Sequence, residues 1–565
     1  MPVKAAGKIL SHIFSLLAVL SFLGVIETIL VRGFMIPEIS ILKVLTHMGY
    51  MVIIIIYIIW TAGSFLKSGW NVRLMFPDIF LSLILMGMVF PVYIGGSIVS
   101  FRIMFSLLAT FFRTTGINTL LEIIRINPAR LLLITFFGGI MAGTLLLMFP
   151  ASTTDHQGAK FIDALFTSTS ALCVTGLTVK DTGTYFSGFG QVVILILIQA
   201  GGLGIMTMAT LYAILLGRRL GWKQEEHMRE IMESTTAQKM YKLIVNIFSI
   251  TLFFEFIGSI VLYVHWLPSM GSFQATRNAV FHSVSAFCNA GFSLFPDNLV
   301  GSVSDFIVNS IIMILIVFGG LGFIVFDDIL SNIKKFNPFS IRWSRLTVHT
   351  RLVLITTLAL IVGGTLILFF FEFDNTMLHL STLDKLQAAM FHSITCRTAG
   401  YNTLDISAFK NVSLFICILL MFIGGSPAST AGGIKTSTLA ILILCVRSVL
   451  DGRDKVEVYN RSIPYQTVYK SIAIVLFFFS FIIIFTILLL VTQSGEFLKI
   501  VFEAVSAIGT VGLSAGITST LDSTGKFLIV LLMYIGRVGP LTIALSLGNP
   551  RKVTVEYPTT RIVVG

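Results

Sequence analysis

Four short stretches read alike: Cys173-Val174-Thr175-Gly176-Leu177, Cys288-Asn289-Ala290-Gly291-Phe292, Arg397-Thr398-Ala399-Gly400-Tyr401 and Thr510-Val511-Gly512-Leu513-Ser514. Their glycines stand 115, 109 and 112 residues apart. Each follows a run of small and apolar residues, FTSTSAL, FHSVSAF, FHSITC or FEAVSAIG, and each precedes a polar loop and a long apolar segment. Near-equal periods of this length mean four copies of one unit. Any fold must therefore bring four equivalent glycine loops to equivalent places, and the simplest is around one axis.

Composition says where that axis runs. Charged residues make up 12% of the 565, against about 25% in a soluble domain, and the mean hydropathy is +0.93. Many apolar runs approach twenty residues, enough to cross about 30 Å of hydrocarbon. This is a polytopic membrane pattern rather than a large soluble all-α protein. The net charge of +12 is spread over several loops without an aromatic-interleaved patch, which argues for membrane orientation and against nucleic acid. Ile9–Val31 has no small-residue cleavage site and exceeds a signal core, so it reads as a span. Cys173, Cys288, Cys396, Cys417 and Cys445 sit in apolar segments without metal spacing and read as packing residues.

The expected fold class is an all-α polytopic membrane protein: four tandem M1–P–M2 pore units in pseudo-fourfold arrangement, preceded by an N-terminal helical bundle. Residues 1–126 form that bundle, with Ile9–Val31, Tyr50–Leu66, Pro77–Tyr93 and Ser97–Phe112 as four helices. Asp78, Arg102 and Arg113 are too sparse for a voltage sensor, which favours a structural or assembly role. Repeat 1 (127–240) has M1 at Leu131–Phe149, a half-length helix at Asp163–Cys173 and M2 at Val192–Leu216. Repeat 2 (241–351) has Leu243–Val264, Asn278–Cys288 and Phe306–Phe326. Repeat 3 (352–470) has Leu352–Phe371, Gln387–Cys396 and an M2 from Val412. Repeat 4 (471–549) has Ile472–Val491, Phe502–Gly509 and Phe527–Leu547, followed by a short tail over 550–565. Non-helical backbone at membrane depth survives only where protein buries it or it lines a watery cavity.

Charge orients the chain. The M2-to-M1 connections Gly217–Met240, Ser331–Arg351 and Val446–Lys470 carry five basic residues each, while the glycine-loop side carries one or none per loop. The positive-inside rule makes those connections cytoplasmic. Lys4 and Lys8 place the N-terminus inside, and both termini are expected there, in a multi-pass protein of the cell membrane.

The glycine loops suggest a chemistry. Stripping water from a monovalent cation takes fixed oxygens, and inward-turned backbone carbonyls supply them without full charges. Turning carbonyls inward asks for positive φ and close approach, both of which suit glycine. The half-length helices aim their negative dipole ends at the same point. Glycines that merely ease helix packing would leave those half-length helices unexplained.

On these residues the chain resembles the Trk/Ktr/HKT superfamily of potassium transporters. The match runs from Asn127 to about Leu547, and Phe391–Gly400 is similar to that family's third pore-loop signature. The third loop is one residue shorter than its counterparts. The resemblance implies a K⁺ filter from Val174, Thr175, Gly176, Asn289, Ala290, Gly291, Thr398, Ala399, Gly400, Thr510, Val511 and Gly512. In the plant branch a serine at the first filter position goes with sodium preference, so Gly176 implies K⁺ over Na⁺. It also implies a homodimer in membrane lipid and a cytosolic nucleotide-binding regulator in trans, unless the N-terminal bundle replaces it.

Four M2 marks follow the filter glycines: Gly201–Gly204, Gly319–Gly322, Gly424–Pro427 and Gly536–Gly539. The first two read as glycines that ease M2 against M1. The third opens 424–437, where Gly424, Gly425, Ser426, Pro427, Gly432 and Gly433 forbid a regular helix. The resemblance implies an intramembrane gate there, with Lys435 expected toward the cytoplasmic vestibule. Arg537, placed mid-span, needs a partner, and a gate-loop carbonyl would satisfy it. Arg397 is expected to brace the filter or pair with a carboxylate such as Glu503, and Glu255 to pair locally. His282 and His392 read as packing or bracing groups, Asp163 as a helix cap, and Asp327 and Asp328 as cation-attracting residues at the inner mouth. No nucleotide loop, metal cluster or nucleophile–base set points to an enzyme or an organic cofactor. The readings are K⁺ uptake, channel-like or ion-coupled, and, as the alternative, a proton- or sodium-coupled carrier of another solute.

Overall fold

The computed structural model describes residues 128–204, 237–335 and 343–547. The N-terminal segment with Arg102 and Arg113, most of the first basic connection and the tail over 550–565 lie outside the described residues. What is described is almost wholly helical. A long helix, a shorter one and a third recur in order. These are α1 (Pro128–Leu147), α2 (Phe161–Leu172) and α3 (Gly188–Leu203); then α4 (Ala237–Met270), α5 (Ser272–Phe287), α6 (Phe306–Leu321) and α7 (Phe323–Lys335). The third set is α8 (Val348–Glu372), α9 (Thr382–Thr395), α10 (Asn411–Phe422) and α11 (Thr436–Leu450). The fourth is α12 (Tyr465–Thr492), α13 (Phe497–Gly509), α14 (Ser523–Val538) and α15 (Pro540–Leu547). Between α11 and α12 lies the one sheet among the described residues, a hairpin pairing β1 (Glu457–Val458) with β2 (Arg461–Ser462). Tyr459 and Asn460 turn it, both at positive φ, the requirement of a type I′ turn.

Among the described residues three helical stretches are long and apolar enough to cross a membrane: Val245–Met270, Val348–Glu372 and Tyr465–Thr492. Their outward faces are apolar, with Phe256, Phe370 and Val491 largely exposed. The inside is where the hydroxyls are: Thr167, Ser168, Thr169 and Ser170 of α2 are all buried. This is a helical membrane protein, apolar outside, with buried hydroxyls set into an otherwise apolar core. Helix α2 has 12 residues, about 18 Å at 1.5 Å per residue, too short to cross.

Side-chain caps start three of the four third helices, α10 being the exception. Ser187 accepts from the Gly190 amide, Asp305 from Ile307 and Val308, and Asp522 from Gly525 at 2.6 Å. The Gly525 amide, first among its partners, holds the exposed Asp522 carboxylate below its usual range.

The expectation of unbroken M2 spans in repeats 1, 2 and 4 is overturned. Helix α3 stops at Gly204, α6 at Gly322 and α14 at Gly539, with φ of 81°, 89° and 93°. Helix α7 leaves α6 at 92°. Glycine takes this left-handed turn without a Cβ penalty, so a helix ends where the motif's last glycine falls. Asp327 and Asp328 therefore sit on α7, past the break, rather than ending a straight span. They bind protein: Asp327 accepts from Asn246 (3.0 Å), while Asp328 accepts from the Thr347 amide (2.9 Å), the Thr347 hydroxyl (2.9 Å) and Thr350 (2.6 Å). Asp328 thus ties α7 to the start of α8. Asp328→Ala is expected to cost about 1 kcal/mol of stability, read as a lower melting temperature in detergent; an unchanged melt contradicts the tie.

Candidate functional site

Each short helix ends in a loop with one geometry. Val174, Asn289, Thr398 and Thr510 take positive φ, and two residues later so do Gly176, Gly291, Gly400 and Gly512. Non-glycine residues in this region carry strain that the surroundings must hold. The holding bonds repeat. Thr175, Ala290 and Val511 donate their amides five residues back, to Ser170, Ser285 and Ser506 carbonyls, each at 2.8 Å. In the third loop Ala399 donates four back, to Thr395, at 2.9 Å. The one-residue shortening is absorbed in that single turn, and the left-handed pair stays in register.

The hydroxyls of the same four residues act as second anchors. Ser170 and Ser506 accept from the Gly176 and Gly512 amides at 3.1 Å. Ser285 and Thr395 donate to the Phe292 and Tyr401 carbonyls at 2.9 and 2.7 Å. Sequence reasoning passed over these four, although a hydroxyl six residues before each glycine, five in the shortened third loop, was the signal. A further hydroxyl roots three short helices to the long helix of their own set. Ser168, Ser283 and Ser393 donate to Ile140, Glu255 and Ile361 carbonyls at 2.7, 2.7 and 2.9 Å. Gly143, Gly258 and Gly364 leave room for them. The fourth set has Ala504 at this position.

The four loops meet in a closed cycle. A Cβ added to Gly176 would overlap the Ala290 carbonyl. One on Gly291 would stand 2.7 Å from the Ala399 carbonyl oxygen, and one on Gly400 2.6 Å from that of Val511. One on Gly512 would overlap the Thr175 carbonyl, which returns the cycle to its start. Each glycine thus abuts the carbonyl that precedes the next glycine. On one side the ring opens into a cavity of about 500 Å³, floored by all four glycines and walled in part by Asp181, Asp297 and Asp405. Tyr401, fully buried, crosses from the third loop to the second and donates to Phe292 at 2.9 Å. His282 contacts Ser293 (3.0 Å), and His392 accepts from the Leu404 amide (3.2 Å). Both imidazoles hold the chain that leaves the glycine.

On the other side lies the break in the third set. Helix α10 ends at Phe422 and α11 starts at Thr436, and the segment between them folds back so that Ile423 bridges Ile434. Gly424, the counterpart of Gly201, Gly319 and Gly536, abuts Gly432 of its own loop. The other three abut carbonyls at the ends of the short helices, Leu172, Phe287 and Ile508; for Gly201 and Gly319 this replaces the expected contact with M1. Ser426 donates its amide to Gly320 (3.0 Å) and its hydroxyl to Leu321, while Thr430 donates to Gly319 (3.3 Å) and Phe287 (3.2 Å). The residue after Pro427, Ala428, takes positive φ and accepts from Phe323 at 2.9 Å. Gly432 lies against Thr510, beneath the fourth loop, and Gly433 takes φ 64°. Gly425 has no room for a Cβ beside Ala431.

Arg537 sits in the last turn of α14, beside the break at Gly539, not in mid-helix. It donates to the Thr430 carbonyl at 2.6 Å and to the Gly201 carbonyl. Lys435 turns back on the Ala431 carbonyl at 2.6 Å instead of standing free in a vestibule. Arg397 donates to the Thr357 carbonyl (3.2 Å), not to Glu503. Glu503 is held by Ser514 and by Thr518 (2.9 Å). Glu255 pairs both across sets, accepting from Gln199 at 3.3 Å, and within its own set, accepting from Cys288 at 3.9 Å. Asp163 is no cap: α2 starts after Lys160, and Asp163 forms an ion pair with Lys526 at 2.7 Å.

The fold and site together define a helical membrane protein whose four backbone loops close on one another above a broken helix. Comparison with known proteins agrees with that class. Residues 136–552 match the TrkH family, described as a cation transport protein. The Ktr system potassium uptake protein B of Bacillus subtilis is 40% identical over 446 residues, covering 78% of this chain and 98% of that one. The potassium/sodium uptake protein NtpJ of Enterococcus hirae is 34% identical over 451 residues, covering 78% and 98%. The crystal structure of the potassium transporter TrkH from Vibrio parahaemolyticus shares the fold, with a TM-score of 0.61 at 17% identity over 89% of this chain and 97% of that one. The chain belongs to the TrkH family of cation transport proteins. It is a transporter and not an enzyme.

Proposed function

We propose that the chain takes up K⁺ across the cell membrane through a backbone-carbonyl filter closed from below by an intramembrane loop. The observation that carries this reading is the closed cycle of four glycine loops, each carbonyl facing the next glycine. Such a ring replaces a hydration shell with fixed dipoles and holds no full charge. In this reading the four sets are M1–P–M2 units in pseudo-fourfold arrangement, spanning 127–240, 241–351, 352–470 and 471–549. An N-terminal bundle over 1–126 precedes them and a cytoplasmic tail over 550–565 follows.

The filter residues are Val174-Thr175-Gly176, Asn289-Ala290-Gly291, Thr398-Ala399-Gly400 and Thr510-Val511-Gly512. The gate comprises Gly424, Gly425, Ser426, Pro427, Gly432, Gly433, Lys435 and Arg537. Asp181, Asp297 and Asp405 raise the cation concentration above the ring. The names of the Bacillus and Enterococcus relatives, a potassium and a potassium/sodium uptake protein, support K⁺ as cargo and make Na⁺ the second ion to examine. Both termini are cytoplasmic, and a homodimer with a cytosolic nucleotide-binding subunit fits the basic inner loops.

Reversal potentials in proteoliposomes, under separate K⁺, Na⁺ and H⁺ gradients, test the reading. The expected result is a potential that follows K⁺. A potential indifferent to K⁺, or rubidium uptake blocked by organic solutes, returns the carrier reading.

A further inference from the structure

The ring has one junction with no chain across it. Units 1 and 2, 2 and 3, and 3 and 4 are joined by the polypeptide, while units 4 and 1 meet only through space. At that junction one helix supplies three polar links. From α14, Lys526 pairs with Asp163 at the start of α2 (2.7 Å), the Tyr534 hydroxyl donates to the Leu133 carbonyl of α1 (2.7 Å), and Arg537 donates to Gly201 at the end of α3. They span eleven residues, about 16 Å of helix, so they tie unit 4 to unit 1 from one end of α14 to the other. The Lys526 and Asp163 side chains are 16% and 6% exposed. A pair this dry gains little net stability over packed apolar groups, because desolvation offsets its attraction. What such a pair adds is a fixed distance. Gly512 and Gly176 meet across the same junction, where a Cβ on Gly512 would stand 3.0 Å from the Gly176 Cα.

We propose that α14 is the clasp of the ring, and that Asp163, Lys526 and Tyr534 are positioning residues for ion discrimination, holding the Gly512–Gly176 contact that no covalent link enforces. This rests on the filter reading above.

The test uses the full chain in proteoliposomes, with K⁺/Na⁺ permeability ratios from bi-ionic reversal potentials and melting temperatures measured in parallel. Asp163→Leu with Lys526→Met removes the pair without leaving a buried charge. It is expected to melt near the wild type while the ratio falls about fivefold or more. Tyr534→Phe removes one hydroxyl and keeps the ring; its ratio is expected to fall about twofold at unchanged melting temperature. Both variants at the wild-type ratio overturn the clasp. If the double variant does not fold, Tyr534→Phe decides alone, and an unchanged ratio overturns it. A wild-type protein that does not discriminate K⁺ from Na⁺ overturns the filter reading instead, so the two failures are distinct.

Discussion

Gly176→Ser is expected to collapse the preference for K⁺ over Na⁺, and Gly176→Ala to lower transport of both ions. Gly176 sits at φ 91°, where an L side chain is strained before any contact is counted. Its missing Cβ would overlap the Ala290 carbonyl and stand 3.1 Å from the Gly291 Cα. Both neighbours are backbone, so no rotamer change relieves the clash; the first loop or the second must move. A displacement costing about 3 kcal/mol corresponds to roughly a hundredfold in rate. Alanine isolates that steric term. Serine adds a hydroxyl at the rim of the carbonyl ring, an oxygen that suits a smaller cation, which is also what the plant branch of the superfamily implies. Bi-ionic reversal potentials separate the two. A serine variant with an intact K⁺/Na⁺ ratio removes Gly176 from the selectivity argument, and an alanine variant with full flux removes the close-packed ring.

The features legible in the sequence are those written into the backbone. A loop that needs positive φ twice within three residues, and contact with a neighbouring backbone, has few residue choices, so its glycine recurs visibly in every copy. The shortened third loop was also legible, because only a position count was needed. Its resolution, a bond four residues back at Ala399 in place of five, was not.

The helix breaks were misread for a physical reason. In Gly201–Gly204 and Gly319–Gly322 one motif carries two functions. The first glycine seats the end of a short helix, and the last reverses φ. A string of glycines in an apolar run reads as packing, and nothing local marks which one turns. Buried charges failed differently. The partners of Asp163, Glu255 and Arg397 come from other helices, 363 residues away in the case of Lys526. Asp163 looked like a cap because a carboxylate near a helix start usually is one. Long-range pairing is a property of the assembled ring, which the period of the repeats announces but does not detail.

Arg537→Ala is expected to raise cation flux about tenfold or more. The guanidinium bridges the Thr430 carbonyl of the loop and the Gly201 carbonyl of the first unit. Charge-assisted bonds of this kind contribute about 1.5–3 kcal/mol each, and every 1.4 kcal/mol shifts an open–closed equilibrium about tenfold. Alanine removes the bridge and also a fixed positive charge beside the path of a cation. The loop does not fall away altogether, since Ser426 and Thr430 still bond to Gly320, Gly319 and Phe287 of the second unit. The loop would then hinge on unit 2 and open on the side of units 1 and 4. Arg537→Lys keeps the charge but reaches one carbonyl rather than two, so its flux is expected between wild type and alanine. Removing residues from the 424–437 loop should mimic alanine without touching the charge, which separates the bridge from the electrostatic barrier. Rubidium uptake into liposomes gives the readout. If Arg537→Ala and the shortened loop both leave it at the wild-type rate, the segment is no gate, and the arginine serves only to satisfy two carbonyls at the breaks.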